Sequence, residues 1–166
     1  MPKDFQPLKP EELCQLIDTH GATLLLYARQ WHPNDADDVV QETFLRMVRR
    51  AQWEGKPKNP VAWLFTAVRN EAIDRLRKAK RRQRHEQQAM AERPVWLETP
   101  PDSSLRSAEL LEFLDTLPPE QREVVIARIW GGLTFDEIAA LVGDSRTTVH
   151  RRYGEALTTL RERLER

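Results

Sequence analysis

Residues 134–153 read TFDEIAALVGDSRTTVHRRY, and this stretch sets the architecture of the C-terminal half. Thr134 followed three residues later by Glu137 is a capping box: hydroxyl and carboxylate satisfy each other's free backbone N–H groups, so a helix starts there. Ile138, Ala139, Leu141 and Val142 supply its buried side. Gly143 stops it, because a helix end favours a residue that accepts positive φ. Asp144 or Ser145 can cap a second helix. That helix carries Arg146, Thr147, Thr148, His150, Arg151 and Arg152, with Val149 as its inward anchor. The pattern is a helix-turn-helix whose second helix offers donors to DNA phosphates and base edges. The bland alternative is a helical hairpin with a solvated basic face. The order Ala139, Gly143, Val149 and the basic outer face favour DNA.

The same periodicity extends outward. Downstream, Ala156, Leu157, Leu160 and Leu164 continue the last helix, expected to pack on residues 105–130. Upstream, Leu105, Ala108, Leu111 and Leu114 mark a helix ending near Thr116. Leu117-Pro118-Pro119-Glu120 is a turn, with Pro119 suited to a helix start. Val124, Val125, Ala127, Arg128, Ile129 and Trp130 follow until Gly131-Gly132. Residues 85–103 are rich in Pro, Gln and Ser and lose periodicity, which predicts an interdomain linker. Trp96-Leu97 within it is able to dock.

Residues 11–32 form the first apolar pattern, with Leu13, Leu16, Ile17, Leu24, Ala28 and Trp31. Gly21 weakens its middle by about 1 kcal/mol relative to Ala, which leaves room for a kink or break there. A second helix begins at Asn34 or Asp35. Its core side is Ala36, Val39, Val40, Phe44, Met47 and Val48, and Asp35, Asp37 and Asp38 suit the positive end of the helix dipole. Asp38, Gln41, Glu42 and Leu45 fall at i, i+3, i+4 and i+7. They form a separate acidic-to-apolar stripe, either solvated surface or a partner site. Residues 51–60, AQWEGKPKNP, read as a loop with an exposed Trp53. A third helix runs over 60–84 with core residues Val61, Leu64, Phe65, Val68, Ala72 and Leu76. A second stripe on it is Trp63, Ala67, Asn70, Asp74, Arg77 and Arg81. Its end is basic, from Arg75 to Arg84 without an acid. Trp53 and Trp63 are expected near this basic surface, and aromatics beside cations suit single-stranded nucleic acid.

Composition sets the remaining bounds. The 166 residues allow one compact domain or two small ones. Lys and Arg number 26 against 26 Asp and Glu, so only the distribution of charge bears on a polyanionic partner. No apolar run reaches bilayer-spanning length, and MPKDFQPLKPEE lacks a signal peptide's apolar core. The single Cys14 cannot form an internal disulfide, is expected in the core, and fits a cytoplasmic protein. Nothing alternates as a strand does. The expected fold is all-α: two small helical domains, 10–84 and 104–166, joined by a proline-rich linker over 85–103, the C-terminal one containing the helix-turn-helix.

Together these stretches resemble the extracytoplasmic-function group of bacterial sigma factors, the promoter-specificity subunits of RNA polymerase. The resemblance rests on DADDVVQETFLRM (35–47), NPVAWLFTAVRNEAIDRLRK (59–78), LDTLPPEQREVV (114–125) and LTFDEIAALVGDSRTTVHRRY (133–153). It implies core RNA polymerase and promoter DNA as partners, and an anti-sigma factor in many relatives. Asp38, Gln41, Glu42 and Leu45 match the face that docks on the polymerase clamp helices. Trp63, Arg69, Asn70, Asp74 and Arg77 match positions that open the −10 element and capture a flipped base. Arg146, Thr147, Thr148, His150 and Arg151 match the helix that reads the −35 element. The sequence also departs from the family pattern. Asp144 stands where an apolar residue is usual, which implies a lost buried contact. Gly154 weakens the last helix, and His150-Arg151-Arg152-Tyr153 is bulkier than usual.

Two rivals have distinct signatures. A conventional helix-turn-helix regulator, with residues 1–84 as an interaction domain, explains 134–153 but not the stripe at 63–77. A metal enzyme would gather Asp35, Asp37, Asp38, Glu42 and Asp74. No His joins either helix at ligand spacing, and His20, His32, His85 and His150 are scattered. No phosphate-binding glycine loop is present. No catalysis, cofactor or metal is therefore expected.

Overall fold

The computed structural model describes residues 5–85 and 105–165, and every regular element among them is helical. The chain divides into two compact units. The first contains α1 (Pro10–Ala28), α2 (Ala36–Trp53) and α3 (Pro60–His85). The second contains α4 (Leu105–Asp115), α5 (Pro119–Val125) with a π-helical turn over Ile126–Trp130, α6 (Phe135–Val142) and α7 (Arg146–Leu164). The linker expected over 85–103, including Trp96-Leu97, lies outside the described residues beyond His85. The side chains of Leu105 and Ala108 lie outside them as well.

In the first unit each helix packs on the other two. Pro10 occupies the first position of α1, where its missing N–H costs nothing. The Glu12 carboxylate accepts from the Lys9 backbone N–H at 3.1 Å. Gly21 leaves α1 unbroken, because packing of the flanking turns outweighs its unfavourable propensity. Leu24, Tyr27 and Ala28 enter the core opposite Val39, Phe44 and Met47 of α2 and Leu64, Phe65 and Val68 of α3. Full burial of one such large side chain contributes about 1.5–3 kcal/mol. The Tyr27 ring lies 5.1 Å from Trp31 and 4.9 Å from Phe65, so aromatic packing closes the top of the bundle. His32 Nε2 donates to the Ala72 carbonyl at 2.8 Å, tying the turn after α1 to the middle of α3.

Charge also joins α2 to α3. Glu71 receives Arg46 of α2 at 2.7 Å and Arg75 of its own helix at 2.8 Å. Burial pushes its carboxyl up, but the two arginine hydrogen bonds prevail and hold it below the ordinary carboxylate range. The contribution is present at neutral pH and fades as acid protonates the group. Two expectations fail on α1. Cys14 and Ile17 are exposed, because the buried residues of α1, Leu24, Tyr27 and Ala28, all lie in its C-terminal half. On α2, residues 51–53 continue the helix, so the loop covers only 54–59.

In the second unit α5 and α6 both pack on α7. Leu114, Leu117, Val124, Val125, Ile126, Leu133, Ile138, Val149, Ala156 and Leu160 form its core. Pro119 starts α5 as its sequence predicts. The expected single helix up to Gly131-Gly132 instead widens at Ile126. The Gly131 N–H reaches back to the Ile126 carbonyl at 3.0 Å, and the Leu133 N–H to the Ala127 carbonyl at 3.1 Å. The extra residue in this turn leaves Ile129 at the surface. Leu164 is also exposed, at 81% of its surface, because α7 extends past its packing partners.

Gly154 does not interrupt α7, and a Cβ built on it meets no atom within 4 Å. Gly154→Ala should therefore stabilise the protein by about 0.4–1 kcal/mol, chiefly by restricting the unfolded chain. Urea unfolding checks this, and a lowered midpoint would show that the position needs glycine.

Candidate functional site

Three outward surfaces remain once the cores are assigned. The first is on α2. Burial of Val39, Val40, Thr43, Phe44 and Met47 turns Asp38, Gln41, Glu42 and Leu45 away from the bundle. Leu45 is 51% exposed between polar neighbours, and Glu42 is paired only to Arg49 at 3.2 Å. An exposed apolar side chain beside Gln41 and the Glu42–Arg49 pair suits a partner helix that offers apolar and polar groups together. Among the described residues no three His, Cys, Asp or Glu side chains converge as a metal site would require.

The second surface joins the end of α2 to α3. Trp53 is 81% exposed on the last turn of α2. Trp63, on the first turn of α3, is half-buried, with the Arg50 guanidinium 5.9 Å from its ring centre. Arg50 therefore covers one face of Trp63, a role absent from the sequence reading. Asn59 caps α3, its side-chain oxygen accepting from the Ala62 N–H at 3.1 Å. Asn70, Asp74 and Arg77 are exposed, with Asp74 and Arg77 loosely paired at 3.8 Å, whereas Arg69 is half-buried. Ala67 is buried, so the expected stripe is interrupted there by core. Trp63 and Arg77 are also 14 residues apart on one continuous helix, about 21 Å. The aromatic start and the basic end are thus separate stations along α3, not one patch as expected. A nucleic-acid strand could meet both in succession.

The third surface is α7. The Thr134 hydroxyl accepts from the Glu137 N–H at 3.2 Å, and the Glu137 carboxylate accepts from the Thr134 N–H at 2.8 Å. Gly143 takes the left-handed conformation, φ 75°, and its N–H and that of Asp144 both reach the Ala139 carbonyl. Ser145, not Asp144, caps α7, accepting from the Thr148 N–H at 3.1 Å. These local bonds aim Arg146, Thr147, His150 and Arg151 outward from one face, while Val149 is buried beneath them. Thr148 is half-buried and its hydroxyl meets Ser145 Oγ at 2.9 Å, so it belongs partly to the cap. Arg151 is held by Glu155 at 2.6 Å, and Arg146 sits loosely by Asp136 at 3.7 Å.

Asp144 is exposed and pairs with Arg152 across the turn at 2.6 Å. The apolar contact implied as lost is replaced by this ion pair. It takes Arg152 off the outer face, where the sequence pattern had grouped it with the other cations. Phe135 has a role that the sequence did not indicate. Arg128 lies 4.6 Å over its ring, and His150 and Tyr153 present edges at 5.1 and 5.5 Å. The ring thus braces α7 against the π-helical turn. A Phe directly after a capping threonine is the one trace of this in the sequence.

Among the described residues no helix is long and apolar enough to cross a membrane. Comparison with known proteins gives two family matches in order: sigma-70 region 2 over residues 16–82 and sigma-70 region 4 over 107–160. The chain is 33% identical over 160 residues to ECF RNA polymerase sigma factor SigE of Mycolicibacterium smegmatis, covering 90% of this chain and 60% of that protein. It is 33% identical over 156 residues to SigL of Mycobacterium tuberculosis, covering 90% and 87%. Among solved structures, the sigma factor RpoE in complex with the anti-sigma factor NepR from Bartonella quintana matches with TM-score 0.71 and 26% identity. That match covers 95% of this chain and 98% of the other. CnrH in complex with the cytosolic domain of CnrY matches with TM-score 0.61 and 29% identity, over 95% and 90%.

The cap assignment is directly testable. Ser145→Ala should cost about 1 kcal/mol in chemical unfolding, the usual worth of an N-cap. Asp144→Ala should cost less, as expected for a partly exposed ion pair. Equal losses would make Asp144 a second cap.

Proposed function

We infer that this chain, which belongs to the extracytoplasmic-function RNA polymerase sigma factors, directs core polymerase to specific promoters and starts transcription there. In this reading α2 docks on the polymerase through Asp38, Gln41, Glu42 and Leu45. Trp63, Arg69, Asn70, Asp74 and Arg77 engage the opened −10 element, and Arg146, Thr147, Thr148, His150 and Arg151 engage the −35 duplex. The polymerase supplies the chemistry, and this subunit supplies recognition and strand opening without being an enzyme itself. Its place of work is the cytoplasm, where polymerase and promoter are. An anti-sigma factor is a further partner, as for the RpoE relative solved with NepR.

One observation carries this reading: two exposed faces of different chemical character occur in the order of the two family matches. The face of α2 is acidic and apolar, which suits protein and repels DNA. The face of α7 is cationic, which suits a phosphate backbone. Flipping a base out of the stack costs a few kcal/mol, and contacts to the unstacked base offset it.

Reconstitution with core polymerase tests each part. Glu42→Lys should abolish binding to core while helix content is kept; undiminished binding would remove α2 from the interface. Trp63→Ala and Asn70→Ala should fail on a duplex promoter and recover on one with a pre-opened −10 bubble. No recovery would assign them a structural role. Arg146→Ala or Arg151→Ala should cost about 1–3 kcal/mol at one −35 base pair if that arginine reads a guanine. Equal loss on every sequence would mark a phosphate contact.

A further inference from the structure

The loop over 54–59 lies between the two tryptophan-bearing helix ends and is held from outside. The Lys56 N–H donates to the Gln6 carbonyl at 2.7 Å. Gly55 is buried with φ 79°, and a Cβ there would stand 3.1 Å from both the N and the O of Gln6. Only glycine combines that left-handed backbone with so close an approach. Lys56 Nζ lies 2.6 Å from the Glu12 carboxylate, whose other oxygen accepts the Lys9 N–H at 3.1 Å. Pro57 is buried, and Asn59 then caps α3. Residues 5–12 therefore grip the loop through three contacts on two adjacent residues: a steric fit at Gly55, and a backbone bond and a side-chain ion pair at Lys56. The cavity beside this grip, about 300 Å³, is lined by Leu8, Glu12, His20, Lys56 and Pro60. The loop is thus tied to the N-terminal segment through Gln6 and to the first turn of α1 through Glu12.

We propose that Gly55, Lys56 and Glu12 are positioning residues for promoter opening, with residues 5–12 acting as a strap that presets the 54–59 loop between Trp53 and Trp63. The inference rests on the assignment of this region to the −10 element. A loop ordered beforehand spends less of its contact energy on its own ordering when the unpaired strand arrives. Glu12 serves both ends of this grip, accepting from the Lys9 N–H at the start of α1 and from Lys56 of the loop. The hydrogen bond from Lys56, then that from the Lys9 backbone, hold its carboxyl below the ordinary range. The competing assignment for Lys56 is a direct phosphate contact, and the two assignments predict opposite effects when Glu12 loses its charge.

The test uses holoenzyme with full-length chain and follows opening of a duplex promoter by a fluorescent base in the −10 element. Glu12→Gln and Lys56→Met should each slow opening by up to about fivefold, the worth of a partly exposed ion pair. Core binding should stay at the wild-type level, and the exchange Glu12→Lys with Lys56→Glu should recover part of the loss. Gly55→Ala should slow opening further. The proposal is overturned if Glu12→Gln opens as fast as wild type or faster, which hands Lys56 to the DNA. It is overturned too if the exchange recovers nothing, or if the single variants lose core binding. Trp63→Ala and Asn70→Ala run alongside. If these slow opening while the strap variants do not, only the strap falls. If they also leave opening unchanged, the −10 assignment falls with it.

Discussion

A surface helix on a small core can bury one stripe, and both units of this protein are built on that limit. In α2, burial of Val39, Phe44 and Met47 leaves Asp38, Gln41, Glu42 and Leu45 outside. In α7, burial of Val149, Ala156 and Leu160 leaves Arg146, His150 and Arg151 outside. The residues that stabilise each unit and the residues offered to partners are therefore set by the same rotation of the helix. A change in helix phase would cost stability and recognition together.

The exact aim of those faces is decided at helix ends. Gly143 in the left-handed conformation and Ser145 as cap start α7 at a defined angle. The Phe135 ring, held by Arg128, braces it from the side. Around α3 the same work falls to Asn59 at the cap, Arg50 over Trp63, and the grip of the N-terminal segment on Gly55 and Lys56. Several cations that a pattern counts as free are already engaged inside the protein. Arg151 is paired with Glu155 and Arg152 with Asp144. Under the proposed −35 assignment, a phosphate or base at Arg151 competes with a carboxylate already at 2.6 Å, which lowers the gain from indiscriminate DNA contact.

Much of this was legible because helix periodicity and capping are local. Thr134 and Glu137 form the expected box, Pro119 begins its helix, and the apolar spacing of α2 and α7 identifies their buried sides. Errors arose where distant contacts outweigh local preference. Gly21 left room for a kink or break in a helix that packing keeps whole. Leu164 was expected to pack on residues 105–130 but lies exposed past its packing partners. Trp63 and Arg77 were grouped as one patch although helix rise separates them.

By itself, the sequence determined the helical class, the positions of the main helix starts and stops, and the residues along each free stripe. These depend on spacing, proline, glycine and capping chemistry, which act within one or two turns. The tertiary structure alone decided which of those side chains are committed to internal partners. Asp144 to Arg152, Arg50 to Trp63, His32 to Ala72 and Glu12 to Lys56 span from 8 to 44 residues. Contacts at such separations depend on how helices cross, and helix crossing leaves no mark on local periodicity.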